Sequence, residues 1–109
     1  MTTLAPLLIL MCGLSFSGKS TLALELRSRL DADVLSLDVI NAERGFYCGK
    51  GISGKEWQKT HQIAQARALN ALTQGRSVII DDAASHRSLR DAWREVAAQG
   101  KVRFQIIWL

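Results

Sequence analysis

The sequence predicts an α/β fold, a parallel sheet of four strands with helices on both faces. Strand-like and helix-like stretches alternate along the 109 residues, and the strand-like stretches are mostly apolar throughout, as in strands buried on both faces. A glycine-rich loop connects the first such stretch to the first helix, which is the setting that phosphate-binding loops require. A chain of this length has room for one domain, so residues 1–109 are expected to fold as a single unit.

Local signals place the elements in order. Pro6 marks the entry to the first strand, because proline is tolerated at the start of a strand but not in its centre. In the first helix, Leu22, Leu26 and Leu30 recur every four residues and form an apolar stripe that would cover the sheet. The predicted strands span residues 7–12, 34–38, 77–81 and 102–109, and the predicted helices span residues 19–30, 53–74 and 86–99.

The helix boundaries have signals of their own. Ser53 and Glu56 have the spacing of a capping box, in which each side chain satisfies a backbone donor of the other. Gly75 is placed to end this second helix in the left-handed conformation. Gly100 is placed to terminate the third helix. The sequence between Asp38 and Ser53 has no period and predicts a long loop, which in so small a domain is usually functional or mobile.

The stretch GLSFSGKST fits the phosphate-loop pattern G-x-x-x-x-G-K-[ST]. Its glycines let backbone N–H groups approach phosphate oxygens, Lys19 supplies a positive charge, and the hydroxyl of Ser20 can bind magnesium. The helix that begins at the lysine directs its positive dipole end at the same anion. The residues predicted to bind the nucleotide are Gly13, Ser15, Ser17, Gly18, Lys19, Ser20 and Thr21.

Acidic residues end the third predicted strand. Asp81 and Asp82 follow its apolar run, and the carboxyl ends of parallel strands lie near the phosphate loop. Either carboxylate could hold Mg²⁺, directly or through water, while Ser20 holds it from the other side. Asp81 directly follows the apolar run, and this position favours it over Asp82 as the metal ligand.

Asp38 ends the second predicted strand, on the side where a phosphate acceptor would enter. A carboxylate there can accept the proton of an acceptor hydroxyl, so Asp38 is the candidate catalytic base, with Lys19 as the second catalytic residue. The alternative is a structural role, since aspartate also forms Asx turns and caps short helical segments such as VINAE.

Other polar and aromatic residues are weaker candidates. Arg44 and Lys50 could hold an anionic group of the acceptor, but basic residues in loops are more often only solvated. No histidine or cysteine has a second one at metal-ligand spacing, so a zinc site is not expected. The tryptophans, which are Trp57, Trp93 and Trp108, are expected to lie in the core or to cover it.

The composition limits the partners and the compartment. The net charge of +4 suits an anionic ligand, but the basic residues are scattered, so a nucleotide explains the charge as well as nucleic acid would. Two cysteines are too few for a disulfide framework and favour a reducing, cytoplasmic setting. No apolar run reaches the roughly 18 residues that a membrane span needs, so no membrane association is expected.

The stretches GLSFSGKST, SLDVINAERG and SVIIDDA, in this order and spacing, resemble the small P-loop kinases. That group includes polynucleotide kinase, chloramphenicol phosphotransferase, zeta-type toxins and, as the nearer likeness, ATP-binding kinases related to them. The resemblance covers nearly the whole chain and implies a three-layer P-loop NTPase fold that binds ATP and Mg²⁺. It also implies that Asp38 is the base and favours Asp82 as the residue that serves the metal.

The chain departs from that group in two respects. Polynucleotide-kinase-like members have an arginine where Asn41 stands, so a polynucleotide acceptor is not expected. Related kinases continue beyond the fourth strand into an arginine-bearing lid and a fifth strand, and this chain ends at Leu109. We therefore expect a C-terminally truncated domain that alone binds nucleotide weakly and transfers phosphate poorly or not at all. A second copy that pairs along the exposed edge of the fourth strand could complete the sheet as a homodimer.

Two functions fit these residues. The first is a kinase that moves the γ-phosphoryl group of ATP to a hydroxyl of a small-molecule acceptor. The alternative is a nucleotide-binding regulatory module or NTPase with no phosphotransfer of its own. A switch GTPase is disfavoured, because no NKxD-like motif is present in the sequence.

Overall fold

The computed structural model describes residues 5–12, 19–46, 52–81 and 87–108, and only the backbone at residues 19 and 20. Four strands and four helices occupy these ranges. In chain order they are β1 Leu7–Cys12, α1 Lys19–Leu30, β2 Asp33–Ser36, α2 Leu37–Glu43, α3 Gly54–Thr73, β3 Val78–Asp81, α4 Arg87–Gly100 and β4 Arg103–Trp108.

The strands form one parallel sheet in the order β2-β3-β1-β4. The predicted α/β class and the parallel sheet are confirmed, and β2 and β4 are the two edges. The register aligns the carboxyl ends of all the strands, because Ser36 pairs with Asp81, Asp81 with Met11, and Met11 with Ile107. Loops and helix N-termini that follow these strands therefore meet at one edge of the sheet, called here the carboxyl edge.

The apolar residues of the strands divide between two layers of helices. On one face, Ile9, Met11 and Ile79 pack against α1, where Ala23 is buried and the predicted leucine stripe is half-buried. On the other face the strand side chains pack against α2, α3 and α4, and Trp93 is fully buried there. The prediction of helices on both faces is thus confirmed.

The second strand is shorter than predicted. The strand prediction for residues 34–38 is wrong at its end, because β2 stops at Ser36 and α2 begins at Leu37. Ser36 is the N-cap of α2, with extended backbone (φ −111°, ψ 126°), and its hydroxyl accepts a hydrogen bond from the Val39 N–H at 3.4 Å. The long loop predicted after Asp38 is therefore a helix in its first part.

The other helix ends follow the sequence signals more closely. The Ser53 hydroxyl accepts from the Glu56 N–H at 3.2 Å, and Gly75 has the predicted left-handed backbone (φ +83°). The prediction that Gly100 terminates its helix is confirmed, because α4 ends at Gly100, and the residue after it, Lys101, takes the left-handed conformation (φ +57°). Within the described ranges, no helix is both long enough and apolar enough to cross a membrane.

Candidate functional site

The predicted phosphate loop connects the end of β1 to the start of α1. Cys12 ends β1 at the carboxyl edge, and Lys19 is the first residue of α1, so Lys19 and Ser20 lie in the first turn of a helix that starts at this edge. Thr21 follows in the same helix and is exposed. The other predicted phosphate ligands, Gly13, Ser15, Ser17 and Gly18, lie outside the described residues.

Asp81 is the last residue of β3. It lies between Met11 of β1 and Ser36 of β2 in the register and is half-buried. Its carboxylate is a hard oxygen ligand of the kind that magnesium prefers, and the N-terminus of α1 lies at the same edge, so the residues present fit a Mg²⁺ ion. Asp82 falls outside the described residues. Among the residues whose side chains are described, no group of three or more His, Cys, Asp or Glu could hold a metal by itself.

Asp38 lies in the first turn of α2, two residues beyond the end of β2. It is exposed, while its neighbour Leu37 and, one turn on, Ile40 are buried against the core. Of the two interpretations of Asp38, the capping role belongs to Ser36 instead. Asp38 therefore presents an exposed carboxylate beside the carboxyl edge, where a negative charge is also favourable for the helix dipole.

The sequence prediction did not anticipate a polar network that joins α2 to α3. The Thr60 hydroxyl donates to Asn41 Oδ1 at 2.5 Å, and both residues are buried. Arg44, the C-cap residue of α2, donates from Nη1 to the same Thr60 hydroxyl at 2.8 Å and to the Glu56 carbonyl oxygen at 2.8 Å. Its Nη2 forms an ion pair with the Glu56 carboxylate. We refer to Asn41, Arg44, Glu56 and Thr60 as the α2–α3 network.

Arg44 is therefore not the solvated loop residue that the sequence predicted. Its side chain is 19% exposed, and its guanidinium lies 5.2 Å from the ring centroid of Phe46. Its hydrogen bond lowers the pKa of the Glu56 carboxyl below the ordinary value, and the positive charge of Lys59 acts in the same direction against the opposing effect of partial burial.

One sequence signal could have revealed this network. Thr60, Ala64 and Ala68 follow one another at four-residue spacing on the buried side of α3, so Thr60 is a polar residue on an apolar stripe. Asn41 is likewise the polar member of the buried side of α2. Buried polar side chains are nearly always hydrogen-bonded, so two of them on the inner sides of adjacent helices are expected to pair.

The tryptophans only partly follow the prediction. Trp93 is fully buried and Trp57 packs against the same core, as expected. Trp108 at the end of β4 is 61% exposed, and the Arg90 guanidinium lies 5.2 Å from its ring centroid. The prediction that Trp108 lies in or over the core is therefore wrong.

A protein-family profile described as an AAA domain matches residues 8–109, which is nearly the whole chain. The chain belongs to the AAA domain family. No curated protein matches it.

This AAA domain also has similar solved structures. The APS kinase CysC of Mycobacterium tuberculosis, in complex with AMPPNP and APS, aligns with a TM-score of 0.77 at 21% identity, over 95% of this chain and 62% of that one. A Pnkp1/Rnl/Hen1 complex aligns with a TM-score of 0.80 at 22% identity, over 99% of this chain and 36% of that one. A gluconokinase from Sinorhizobium meliloti 1021 aligns with a TM-score of 0.63 at 22% identity, over 94% of this chain and 57% of that one.

These similarities establish the fold. The AAA domain has a P-loop kinase-like nucleotide-binding fold, and the resemblance to small P-loop kinases is confirmed. The chain spans less than two thirds of the length of each of these solved chains.

Proposed function

We propose that this AAA domain is the nucleotide-binding part of a kinase that transfers the γ-phosphoryl group of ATP to a hydroxyl of a small-molecule acceptor. One observation carries the proposal. An exposed carboxylate, Asp38, follows β2 at the same edge of the sheet where Asp81 ends β3 and α1 begins with Lys19. The candidate phosphate-binding helix N-terminus, the candidate metal ligand and the candidate base would thus lie at one edge.

The phosphates would lie at the loop between β1 and α1. Loop N–H groups would bind them with the side chains of Ser15, Ser17 and Thr21, and Lys19 would neutralise part of their charge. Ser20, together with Asp81 or Asp82, would hold a Mg²⁺ ion, which would supply positive charge against the phosphates.

Asp38 would act on the acceptor. The acceptor hydroxyl oxygen forms a bond to the γ-phosphorus, the bond from that phosphorus to the β,γ-bridging oxygen breaks, and ADP leaves. The hydroxyl proton passes to the Asp38 carboxylate. Exposure of Asp38 supports this role, because the acceptor must be able to reach the base.

The acceptor would be selected by residues 45–52, which follow α2 and its C-cap residue Arg44. The similar structures point to small acceptors, since one is a complex of APS kinase with APS and another is a gluconokinase. The first acceptors to test are therefore APS and gluconate, with a 5′-hydroxyl oligonucleotide to represent a nucleic-acid end.

The test is the transfer of ³²P from γ-labelled ATP to these acceptors in the presence of MgCl₂, for a full-length form of the protein and for its Asp38→Asn and Glu43→Gln variants. Glu43 is an exposed carboxylate at the far end of the same helix and serves as the matched control. We expect Asp38→Asn to abolish labelling while ATP binding stays unchanged, and Glu43→Gln to behave as the unmodified chain. Equal labelling by Asp38→Asn would exclude Asp38 as the base, and ATP hydrolysis without labelled acceptor would favour the NTPase alternative.

A further inference from the structure

The helix that carries Asp38 has only two turns. A seven-residue helix is not stable by itself, because the cost of forming its first turn is spread over few hydrogen bonds. The position of α2 therefore depends on the contacts that its buried face makes with the rest of the protein. Leu37 and Ile40 supply apolar contacts, which are non-directional, and Asn41 supplies a directional one.

We propose that Arg44 is a positioning residue that, through the α2–α3 network, locks α2 onto α3 and so holds Asp38 beside the carboxyl edge. The inference rests on the proposed function, in which Asp38 takes the proton of the acceptor. The network itself does not depend on that function, and its effect on α2 is measurable without an acceptor.

The contacts of Arg44 support a locking role. It caps the C-terminus of α2, and its guanidinium binds three groups of α3 that lie within two turns, namely the Glu56 carbonyl, the Glu56 carboxylate and the Thr60 hydroxyl. A planar guanidinium with several fixed donors sets an orientation as well as a distance. Since Thr60 also donates to Asn41, the last turn of α2 and its C-cap residue are tied to the same residue of α3.

A second ion pair between the same helices provides an internal comparison. Arg67 Nη2 of α3 lies 2.8 Å from the Glu43 carboxylate of α2, but the two side chains are 47% and 49% exposed. Exposed pairs of this kind contribute little. Arg44 and Glu56 are 19% and 28% exposed, so their pair is better shielded from water.

Helix geometry explains how the contacts of Arg44 can affect the position of Asp38. Arg44 is the sixth residue after Asp38, which is ~9 Å along a helix axis. If the C-terminal end of α2 is released, a small tilt of the helix displaces Asp38 relative to the sheet. A displacement of about 1 Å at a catalytic group can reduce the rate about 100-fold.

Three variants distinguish loss of the α2–α3 network from a general loss of stability. Arg44→Met removes the guanidinium and keeps most of the apolar side chain, Thr60→Val removes the shared hydroxyl at constant shape, and Thr60→Ser keeps that hydroxyl. Arg67→Met is the matched control, because it breaks the exposed pair between the same helices.

The first measurement is amide hydrogen exchange of the whole chain, with the affinity for ATP and MgCl₂ measured in parallel. We expect Arg44→Met and Thr60→Val to accelerate exchange in residues 37–46 by about tenfold or more, with residues 8–12 and 19–30 unchanged and ATP affinity within about twofold. Thr60→Ser and Arg67→Met are expected to match the unmodified chain. Unchanged exchange in residues 37–46, or an equal acceleration throughout the chain, would overturn the inference.

The second measurement is phosphotransfer in a double-mutant cycle. Arg44→Met is expected to lower kcat about 10- to 100-fold with the KM for ATP unchanged, and to cause no further loss when Asp38 is already Asn. A further loss of the same size in the Asp38→Asn background would overturn a role through Asp38. If a full-length form of the protein transfers no phosphate to these acceptors, the proposed function fails, and the exchange measurement still decides whether Arg44 holds α2.

Discussion

Ser36 and Asp81 are paired in the register of the parallel strands β2 and β3, and each is the last residue of its strand. Ser36 also caps α2, so the helix that carries Asp38 begins directly beside the end of β3. The two carboxylates to which the proposed function gives different roles, Asp38 and Asp81, therefore belong to neighbouring strand ends. This relationship makes their roles separable by mutation.

The first prediction concerns magnesium. Asp81→Asn and Asp82→Asn, made separately, are expected to differ, and the variant that loses the metal contact should raise the MgCl₂ concentration needed for half-maximal ATP binding. We expect a change of about tenfold or more, because even residues that only orient metal ligands typically alter metal affinity 10- to 100-fold. The measurement is a titration of ATP binding with MgCl₂.

Asp33→Asn is the control for this titration. Asp33 is the first residue of β2, at the opposite end of the strand from Ser36, and pairs with Arg76. It should leave the magnesium requirement unchanged. An unaltered requirement in both Asp81→Asn and Asp82→Asn would remove these residues from the metal site.

The fold was predictable from sequence where a strand is a continuous run of buried apolar residues. β1 and β3 are apolar and almost entirely buried, so composition alone identifies them. The end of β2 was not predictable in this way, because VLSLD alternates as a strand does. The structure shows that the Ser36 hydroxyl caps a helix there and that Leu37, Ile40 and Asn41 face the core. Burial of these residues depends on tertiary packing, which the local sequence does not reveal.

The candidate site was predictable in its motifs and less so in its contacts. The glycines, Lys19 and the strand-end acids have fixed spacings, whereas Arg44 finds Glu56 and Thr60 at 12 and 16 residues along the chain. The capping-box spacing correctly predicted the bond to the Ser53 hydroxyl. It could not show that the Glu56 carboxylate is engaged by Arg44, because no local sequence pattern reveals that α2 packs beside α3.

The second prediction concerns the phosphate loop. Lys19→Ala removes the positive charge at the start of α1 and is expected to weaken ATP binding about 10- to 100-fold, since hydrogen bonds to charged groups contribute about 1.5–3 kcal/mol. Isothermal titration with ATP and MgCl₂ measures the change. Arg29→Ala is the control, because Arg29 lies in the last turn of the same helix, exposed and paired with Glu25. Equal ATP affinity in the unmodified chain and Lys19→Ala would contradict a phosphate-binding role for Lys19.

The third prediction is a pH dependence of stability. Arg44 lowers the pKa of Glu56 in the folded chain, so folding favours the ionised carboxylate. The stabilisation from the Arg44–Glu56 pair is then complete above the unfolded pKa of a glutamate, about 4.3, and is lost as the pH falls through the lower pKa of the folded state. Glu56→Gln cannot ionise, so it should lower the free energy of unfolding near neutral pH and make little difference in strong acid.

Urea unfolding of the unmodified chain and of Glu56→Gln at a series of pH values measures this difference. Unfolding is followed by tryptophan fluorescence, to which the buried Trp93 contributes. The gap between the two unfolding curves should be constant near neutral pH and close as the pH falls below about 4. Glu25→Gln provides the comparison, because the Glu25–Arg29 pair is largely exposed and its loss should shift the curves little at any pH. A gap for Glu56→Gln that stays the same from neutral pH into strong acid would show that ionisation of Glu56 does not stabilise the fold, and that the ion pair with Arg44 contributes only as a neutral hydrogen bond would.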